Sequence, residues 1–339
     1  MHLLVTGGAG FIGSAFIRLV LDEQPTFRIT NLDALTYAGN LDNLEGLNPN
    51  RHHFIRGDIT NRDEVASAME RRPDAIVNFA AESHVDRSIQ CSDAFLRTNI
   101  LGTQILIDAA RAKGVGRFVQ ISTDEVLGSL PESEGVLFTE HSAFAPNSPY
   151  SASKAAAEHL VRAAHHTFGI DTVITRCGNN YGPYQFPEKL IPLLISNAIR
   201  DQPIPVYGDG KNVRDWIYVD DHCRAILAVL LKGISGEVYN IGARNELQNL
   251  QLVKTVLKSL DKPDSLIRFV KDRPGHDRRY ALDPSKVETE LGWRPIETWE
   301  GGLLKTITWY QNNERWLERA RSGKYREYYD RQYGSELVN

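Results

Sequence analysis

The amino terminus constrains this chain more than any other stretch. An apolar run, Leu3-Leu4-Val5-Thr6, leads into Gly7-Gly8-Ala9-Gly10-Phe11-Ile12-Gly13, and a helical pattern of Phe16, Ile17, Leu19, Val20 and Leu21 follows. Gly8-x-Gly10-x-x-Gly13 is a dinucleotide fingerprint in the strand-to-helix setting it requires. Glycines here let the backbone turn tightly and approach a pyrophosphate, which rests on the helix amino terminus. Gly7, Gly10 and Gly13, with Phe11 and Ile12 between them, are the candidates for that cradle. The competing reading is a bare glycine-rich turn.

The segments that follow keep one rhythm. A strand over Phe27–Leu32 ends at Asp33, about 20 residues past the last glycine, where an acid is expected to hold the adenosine ribose hydroxyls. A carboxylate there repels a 2′-phosphate and no arginine follows it directly, so NAD is favoured over NADP. A third strand, His53–Arg56, ends at Gly57-Asp58-Ile59, and Asp58 is either a ligand or the N-cap of the next helix. A fourth, Asp74–Phe79, ends in Ala80-Ala81-Glu82-Ser83-His84, where small residues would let a planar ring approach. His84 is as open to a structural role as to a functional one. A helix is expected over roughly Ser92–Ala112, carrying Thr98 and Asn99, with apolar residues that face either the sheet or a subunit partner. Strands alternating with helices in this way predict an α/β, Rossmann-like, doubly wound parallel sheet.

The fifth strand, Arg117–Ile121, delivers Ser122-Thr123-Asp124-Glu125 at its carboxyl end, the edge where ligands bind in such sheets. Successive strand residues point to opposite faces. Asp124 and Glu125 can reach one ligand only if the chain leaves the strand there, and the nearby Gly128 suits that. Paired acids allow one to remain an ionised base while the other is held protonated. Downstream, Ser148 and Pro149 suit a helix start, and Tyr150 and Lys154 are four apart on its face. A phenol with a pKa near 10 is too weakly acidic to serve as a base at neutral pH, but a nearby ammonium and a positive nicotinamide both favour phenolate.

Composition limits the alternatives. The 339 residues are 42% hydrophobic and 24% charged, enough for a large core and two lobes. A net charge of −4 gives no reason to expect nucleic acid or a membrane surface as partner. Cys91, Cys177 and Cys223 are scattered with no zinc spacing, so reduced structural thiols, no metal and a cytoplasmic location are expected.

In the second half, a strand over Asp171–Arg176 ends at Cys177-Gly178-Asn179-Asn180, amides that either bind a ligand or only make a turn. The first lobe is expected to span 1–177 and a smaller α/β substrate lobe 178–339, without a clean cut because later segments can return to the first. Arg214 and Arg273 suit a diphosphate, since a guanidinium forks two bonds to it. Tyr207 could offer a face to a nucleobase. Leu250–Leu260 and Leu303–Ala320 read as packing elements, and Tyr325–Asn339 has no assignment.

TGGAGFIG, Asp33, the acidic strand end and YSASK together resemble the extended short-chain dehydrogenase/reductase superfamily. More narrowly, FAAESHVDRS, STDEV, NSPYSASK, RCGNNYGPYQFPEKLIP, VRDWIYVDDH and DRPGHDRRYALD resemble the dTDP-glucose 4,6-dehydratases, over nearly the whole chain. The resemblance implies a lyase that turns dTDP-glucose into the 4-keto-6-deoxy sugar with internally recycled NAD, acting as a homodimer packed through the helices near Ser92–Ala112 and Tyr150–Phe168. It implies Thr123, Asp124, Glu125, Tyr150 and Lys154 as catalytic residues. It implies cofactor contacts at Phe11, Ile12, Asp33, Thr36, Asp58, Ile59, Ala80, Ala81, Ser83, Thr98, Tyr150, Lys154 and Asn180. The sugar nucleotide would touch Ser83, Thr123, Asn179, Glu188, Lys189, Leu190, Pro205, Tyr207, Arg214, Asn249, Arg273 and His276. One departure is Leu127, where the family usually shows tyrosine, which puts substrate fine-tuning in question. A nucleotide-sugar epimerase, a dehydratase for another nucleotide, and a cofactor-sensing binding protein are the alternative functions.

Overall fold

The computed structural model describes residues 1–132, 135–322 and 324–334. The strands, in chain order, are β1 (His2–Thr6), β2 (Arg28–Asp33), β3 (His52–Arg56), β4 (Ala75–Asn78), β5 (Arg117–Thr123), β6 (Thr172–Cys177), β7 (Asn179–Tyr181), β8 (Ile204–Tyr207), β9 (Val213–Tyr218), β10 (Val238–Ile241), β11 (Glu246–Gln248) and β12 (Ile267–Val270). Seven of them form one parallel sheet in the order β10-β6-β5-β4-β1-β2-β3. The order reverses beside β1, and ligands bind outside the carboxyl ends of the strands at such a switch point.

Strand periodicity builds two cores on this sheet. Leu3 and Val5 pack with Phe16, Ile17 and Val20 and with Ile226 and Leu230 on one face. Leu4, between them in sequence, points to the other face with Val65, Leu106 and Val161. A third core, containing Tyr181, Leu194, Trp216, Val253 and Ile307, underlies the smaller sheets β11-β9-β7 and β12-β8. β10 comes from the second half of the sequence yet extends the large sheet beside β6.

Several elements differ from the sequence expectation. The single helix expected over Ser92–Ala112 is a short α-turn at Asp93–Phe95, a π-helical segment at Leu96–Gly102 and an α-helix at Thr103–Lys113. The packing element expected over Leu303–Ala320 is two helices, Trp299–Asn312 and Glu314–Ala320, broken at Asn313. The unassigned tail contains a helix, Lys324–Tyr333, and its residues 335–339 lie outside the described residues. Asp58 is not an N-cap: Asn61 caps the helix Arg62–Met69, and Asp58 Oδ1 instead accepts from Thr60 N. No helix among the described residues is long and apolar enough to cross a membrane.

Candidate active site

Two cavities meet at the carboxyl edge of the large sheet. The inner, of about 300 Å³, is walled by the glycine turn, by Asp33, Asp58, Ala80 and Ala81, and by Thr123, Tyr150 and Lys154. The outer, of about 160 Å³, lies between the large sheet and the second-half elements and is walled by Leu190, Pro205, Tyr207, Arg214, Asn249, Arg273 and His276 among others. Glu125, Asn179, Glu188 and Lys189 line both. Every residue expected to touch cofactor lies on the inner wall, and every residue expected to touch sugar nucleotide lies on one wall or the other.

The inner cavity is shaped for a dinucleotide. Gly7 has φ +70°, and a Cβ there would come within 2.6 Å of Ala80 N. A Cβ on Gly13 would sit 2.3 Å from Gly7 O. Both positions need glycine, and both keep the cradle open. Gly8, the first glycine of the fingerprint, instead packs against Asn31 and is not on the wall. The helix Phe11–Glu23 begins at Gly10 with no side-chain cap and no acid in its first turn, so its amino end is left for an anion. Asp33 is tied down by Ala9 N and Leu35 N, each at 2.8 Å, and burial raises its carboxyl above the ordinary value. These residues fit NAD: a pyrophosphate cradle at one end and a fixed carboxylate for ribose at the other.

The acid pair stands where the chain leaves β5. Thr123 caps a 3₁₀ turn over Asp124–Leu127, its hydroxyl accepting from Glu125 N at 3.3 Å and donating to Asp124 Oδ1 at 3.1 Å. The two carboxylates are unlike. Asp124 is 2% exposed, and its Oδ2 has no hydrogen-bond partner among the described residues. Burial, reinforced by the Glu125 charge, raises it to about 8. Glu125 is half-buried on the wall common to both cavities; burial raises it too, while Arg273, Lys189 and Arg214 pull it down. At neutral pH Asp124 holds its proton, and Glu125 has three cations favouring its charged form.

Tyr150 and Lys154 lie on the helix Pro149–Phe168, which starts with a capping box in which the side chains of Ser148 and Ser151 each meet the other's backbone. Lys154 Nζ donates to Ile121 O at 2.7 Å, and burial lowers it to about 8. The expectation of a phenol lowered by Lys154 does not hold for the chain alone. Burial, then the Glu125 charge, hold Tyr150 well above its ordinary value. Of the two positive neighbours expected to favour phenolate, only the lysine belongs to the chain.

The outer cavity gathers three cations, Lys189, Arg214 and Arg273, with three carboxylates, Asp86, Glu125 and Glu188. Arg214 lies over the Tyr280 ring at 4.3 Å and donates to Asp277 O at 2.9 Å. Arg273 Nη1 stands 3.4 Å from Asp86 Oδ1, and its buried Nε has no hydrogen-bond partner among the described residues. Lys189 Nζ donates to Ser83 O at 2.8 Å. Burial, with Arg273 and Arg214 nearby, lowers His276 to about 4, so it is neutral at pH 7. The partnerless Asn249 Oδ1 adds an acceptor.

Sequence reasoning missed four groups here. Cys177, expected to be merely structural, lies on the inner wall, its thiol raised to about 12 by burial. Asp86 bonds to Arg273 and Tyr207, and Arg87 bonds to Glu188. Glu158 and Arg176 pair between the helix Pro149–Phe168 and β6. Tyr333, from the tail, lines the outer cavity. Leu127 packs with Val126, Phe138, Tyr280 and Leu282 and is on neither wall, while Tyr280 beside it lines the outer cavity.

Comparison with known proteins agrees with this geometry. The family model described as GDP-mannose 4,6 dehydratase matches residues 4–306. A dTDP-glucose 4,6-dehydratase of Xanthomonas campestris pv. campestris (strain B100) is 51% identical, the match covering 95% of this chain and 97% of that protein. The crystal structure of the dTDP-glucose 4,6-dehydratase DesIV from Streptomyces venezuelae, with NAD and dTDP bound, superimposes with a TM-score of 0.91 at 50% identity, over 94% of this chain and 100% of that one. A UDP-glucose 4-epimerase of Thermotoga maritima, with UDP-glucose, shares the fold at 29% identity and a TM-score of 0.85, over 93% of this chain and 100% of that one. With a matched family model over most of its length and half its residues shared with a full-length relative, this chain belongs to the dTDP-glucose 4,6-dehydratase family.

Proposed function

We propose that the protein is an NAD-dependent hydro-lyase that converts dTDP-glucose to dTDP-4-keto-6-deoxyglucose and water. The observation that carries the reading is the acid pair: Asp124 is buried, which raises its carboxyl and favours the protonated form, and its neighbour Glu125 sits on the wall common to both cavities. A 4-epimerase needs no such pair, whereas elimination across C5 and C6 needs one base and one acid.

NAD supplies a two-electron acceptor that takes hydride from C4 and gives it back to C6. Tyr150, with Lys154, accepts the proton of the sugar 4-hydroxyl, and Thr123 hydrogen-bonds the same oxygen. The resulting ketone acidifies the proton on C5, which Glu125 removes. Asp124 gives its proton to the 6-hydroxyl, which departs as water. A proton then returns to C5. Phe11, Ile12, Asp33, Thr36, Asp58, Ile59, Ala80, Ser83, Thr98 and Asn180 hold the cofactor in this reading. Asn179, Glu188, Lys189, Leu190, Pro205, Asn249 and His276 hold the sugar nucleotide, with Arg214 and Arg273 on its diphosphate and Tyr207 at its base.

The same reading assigns residues 1–177 to the cofactor lobe, joined by β10 and by the helix Val219–Lys232 that packs on the large sheet, and most of the remainder to the substrate lobe. It includes a homodimer packed through the helices near Ser92–Ala112 and Tyr150–Phe168. Leu96 at 46%, Leu101 at 45% and Phe168 at 48% exposure leave apolar surface on those segments. It also includes a cytoplasmic location, which suits an exposed, unpaired Cys91.

The decisive experiment is incubation with dTDP-glucose without added NAD, followed by product identification. The expected product is the 4-keto-6-deoxy sugar nucleotide, formed over many turnovers per protein. Simple interconversion of UDP-glucose and UDP-galactose, with no keto sugar from dTDP-glucose, would overturn the reading.

A further inference from the structure

The reaction scheme leaves one buried imidazole behind the inner cavity without a role. His222 lies near the start of the helix Val219–Lys232, which runs directly on from β9 and packs on the large sheet. The side chain is fully buried. Burial alone lowers it to about 3, so the ring is neutral at pH 7. Its Nδ1 stands 2.8 Å from Oδ1 of Asn180 on β7, and its Nε2 has no hydrogen-bond partner among the described residues. An apolar side chain of similar size would leave no acceptor unpaired, so packing does not account for an imidazole here.

The two side chains fix each other's hydrogens. Asn180 Nδ2 donates to Gly178 O at 3.1 Å, and a carbonyl oxygen only accepts. Turning the amide over would set its own oxygen against that carbonyl, so Oδ1 must face His222. An amide oxygen also only accepts, so the single hydrogen of the neutral ring is on Nδ1. The amide is thus held from both sides, by the helix and by the Gly178 backbone. Its second Nδ2 hydrogen has Cys177 Sγ at 3.5 Å, a weak acceptor. Cys177, Gly178 and Asn180 all line the inner cavity. Cys177 Sγ meets Ser122 O at 3.5 Å, and Lys154 Nζ donates to the preceding carbonyl, Ile121 O, so this stretch of wall adjoins the catalytic end.

We propose that His222 is a positioning residue for the cofactor: its Nδ1–H locks the Asn180 amide so that Nδ2 presents one hydrogen to an acceptor oxygen on the nicotinamide half of NAD. The inference rests on the reading of the inner cavity as the NAD site, with the nicotinamide beside Tyr150 and Lys154. An amide free to turn over would offer its donor only part of the time, and binding would have to order it. With the bond to His222 the order is present beforehand, and the cofactor leaves more slowly. Retention matters in this reaction, because the same nicotinamide that takes hydride from C4 must still be in place to return it to C6.

The test uses full-length enzyme with its NAD. Exchange of bound NAD for radiolabelled NAD is expected to run about tenfold faster in His222→Leu than in wild type, the effect of losing about one hydrogen bond. KM for dTDP-glucose, measured with saturating NAD, should stay within about twofold. In His222→Asn the side-chain Nδ2 takes the place of the ring Nδ1, and exchange should return to within about threefold of wild type. Asn180→Ala should also exchange about tenfold faster. Adding His222→Leu to it should change nothing more, because the histidine acts through the amide, whereas a merely structural role would persist. With isotope-labelled histidine, NMR of the wild type should show a neutral ring protonated on Nδ1 whose signal is missing from the His222 variants. A His222→Leu enzyme that exchanges within about twofold of wild type overturns the inference. So does a double variant about tenfold faster than Asn180→Ala alone, or a His222 ring protonated on Nε2. If His222→Leu does not fold, an Nε2 proton in wild type, or exchange about tenfold faster in His222→Asn, overturns it instead. If wild-type enzyme neither carries NAD nor takes it up, the reading of the function fails as well. If wild type binds NAD and His222→Leu matches it, the inference alone fails.

Discussion

Arg176 on β6 grips Glu158 on the catalytic helix through three contacts, Nε to Oε1 at 3.1 Å, Nε to Oε2 at 3.0 Å and Nη2 to Oε2 at 2.8 Å, with both side chains buried. Glu158 also accepts from Ser122 on β5 at 2.5 Å. Lys154 is one turn earlier on the same helix, so the ion pair fixes the helix against β6, and the Ser122 bond ties it to β5, the strand that leads into the acid pair. Removing one partner of a buried pair leaves an uncompensated charge and costs about 3–5 kcal/mol. Glu158→Ala should lower the unfolding free energy by about that amount in a denaturant titration. An enzyme of unchanged stability would show that the pair is dispensable.

Asp124 predicts a pH effect of definite sign. Burial, with Glu125 beside it, raises its carboxyl to about 8, against about 4 in an unfolded chain. The folded state binds this proton more tightly. The stability it contributes is full below about pH 4 and is lost as pH rises towards 8. In Asp124→Asn that decline should flatten between pH 4 and 8, measured by melting temperature, while turnover falls about 10²–10⁴-fold. In wild type, kcat/KM should fall above about pH 8 as the acid loses its proton. A wild-type profile flat to pH 9.5 would remove Asp124 from the acid's role.

Glu125→Gln separates the base from the redox half. Loss of a positioned base costs about 10²-fold or more. Exchange of the C5 proton with solvent and release of water should both fall by that factor, while NAD stays bound. Followed in deuterated water, an undiminished C5 exchange would assign the base elsewhere.

Gly13→Ala tests the cradle. The added methyl would come within 2.3 Å of Gly7 O, a backbone atom that cannot swing away. Purified variant should carry much less NAD than wild type, read from the absorbance of the extracted nucleotide, and should lose activity in proportion. Full NAD occupancy would mean that the turn relaxes more readily than its packing implies.

Much of this was legible in the sequence because its signals are local. Short apolar runs marked β1 to β6, the first three stopping at glycine or aspartate, and the acids after β5 and the Tyr150–Lys154 spacing placed the chemistry at one sheet edge. The unread parts depend on contacts between distant segments. Asp86 meets Arg273 across 187 residues and Tyr328 across 242, and nothing near Asp86 in sequence announces either partner. The π-helical segment at Leu96–Gly102 has the composition of ordinary helix, so the break around Thr98 leaves no periodic trace. The state of Tyr150 is likewise set by burial and by charges contributed from the turn after β5 and from Cys177 on β6, which spacing on one helix does not report.

The wall between the two cavities, formed by Glu125, Asn179, Glu188 and Lys189, has a consequence for how this family diversifies. Each chamber can be remodelled from its far side while the partition stays put. Substitutions beyond it would change which nucleotide-linked hexose is admitted and leave the electron-handling half intact, and substitutions in the partition itself would change which bond is broken. A UDP-glucose 4-epimerase overlays this backbone at 29% identity, so the scaffold persists while most of its residues differ.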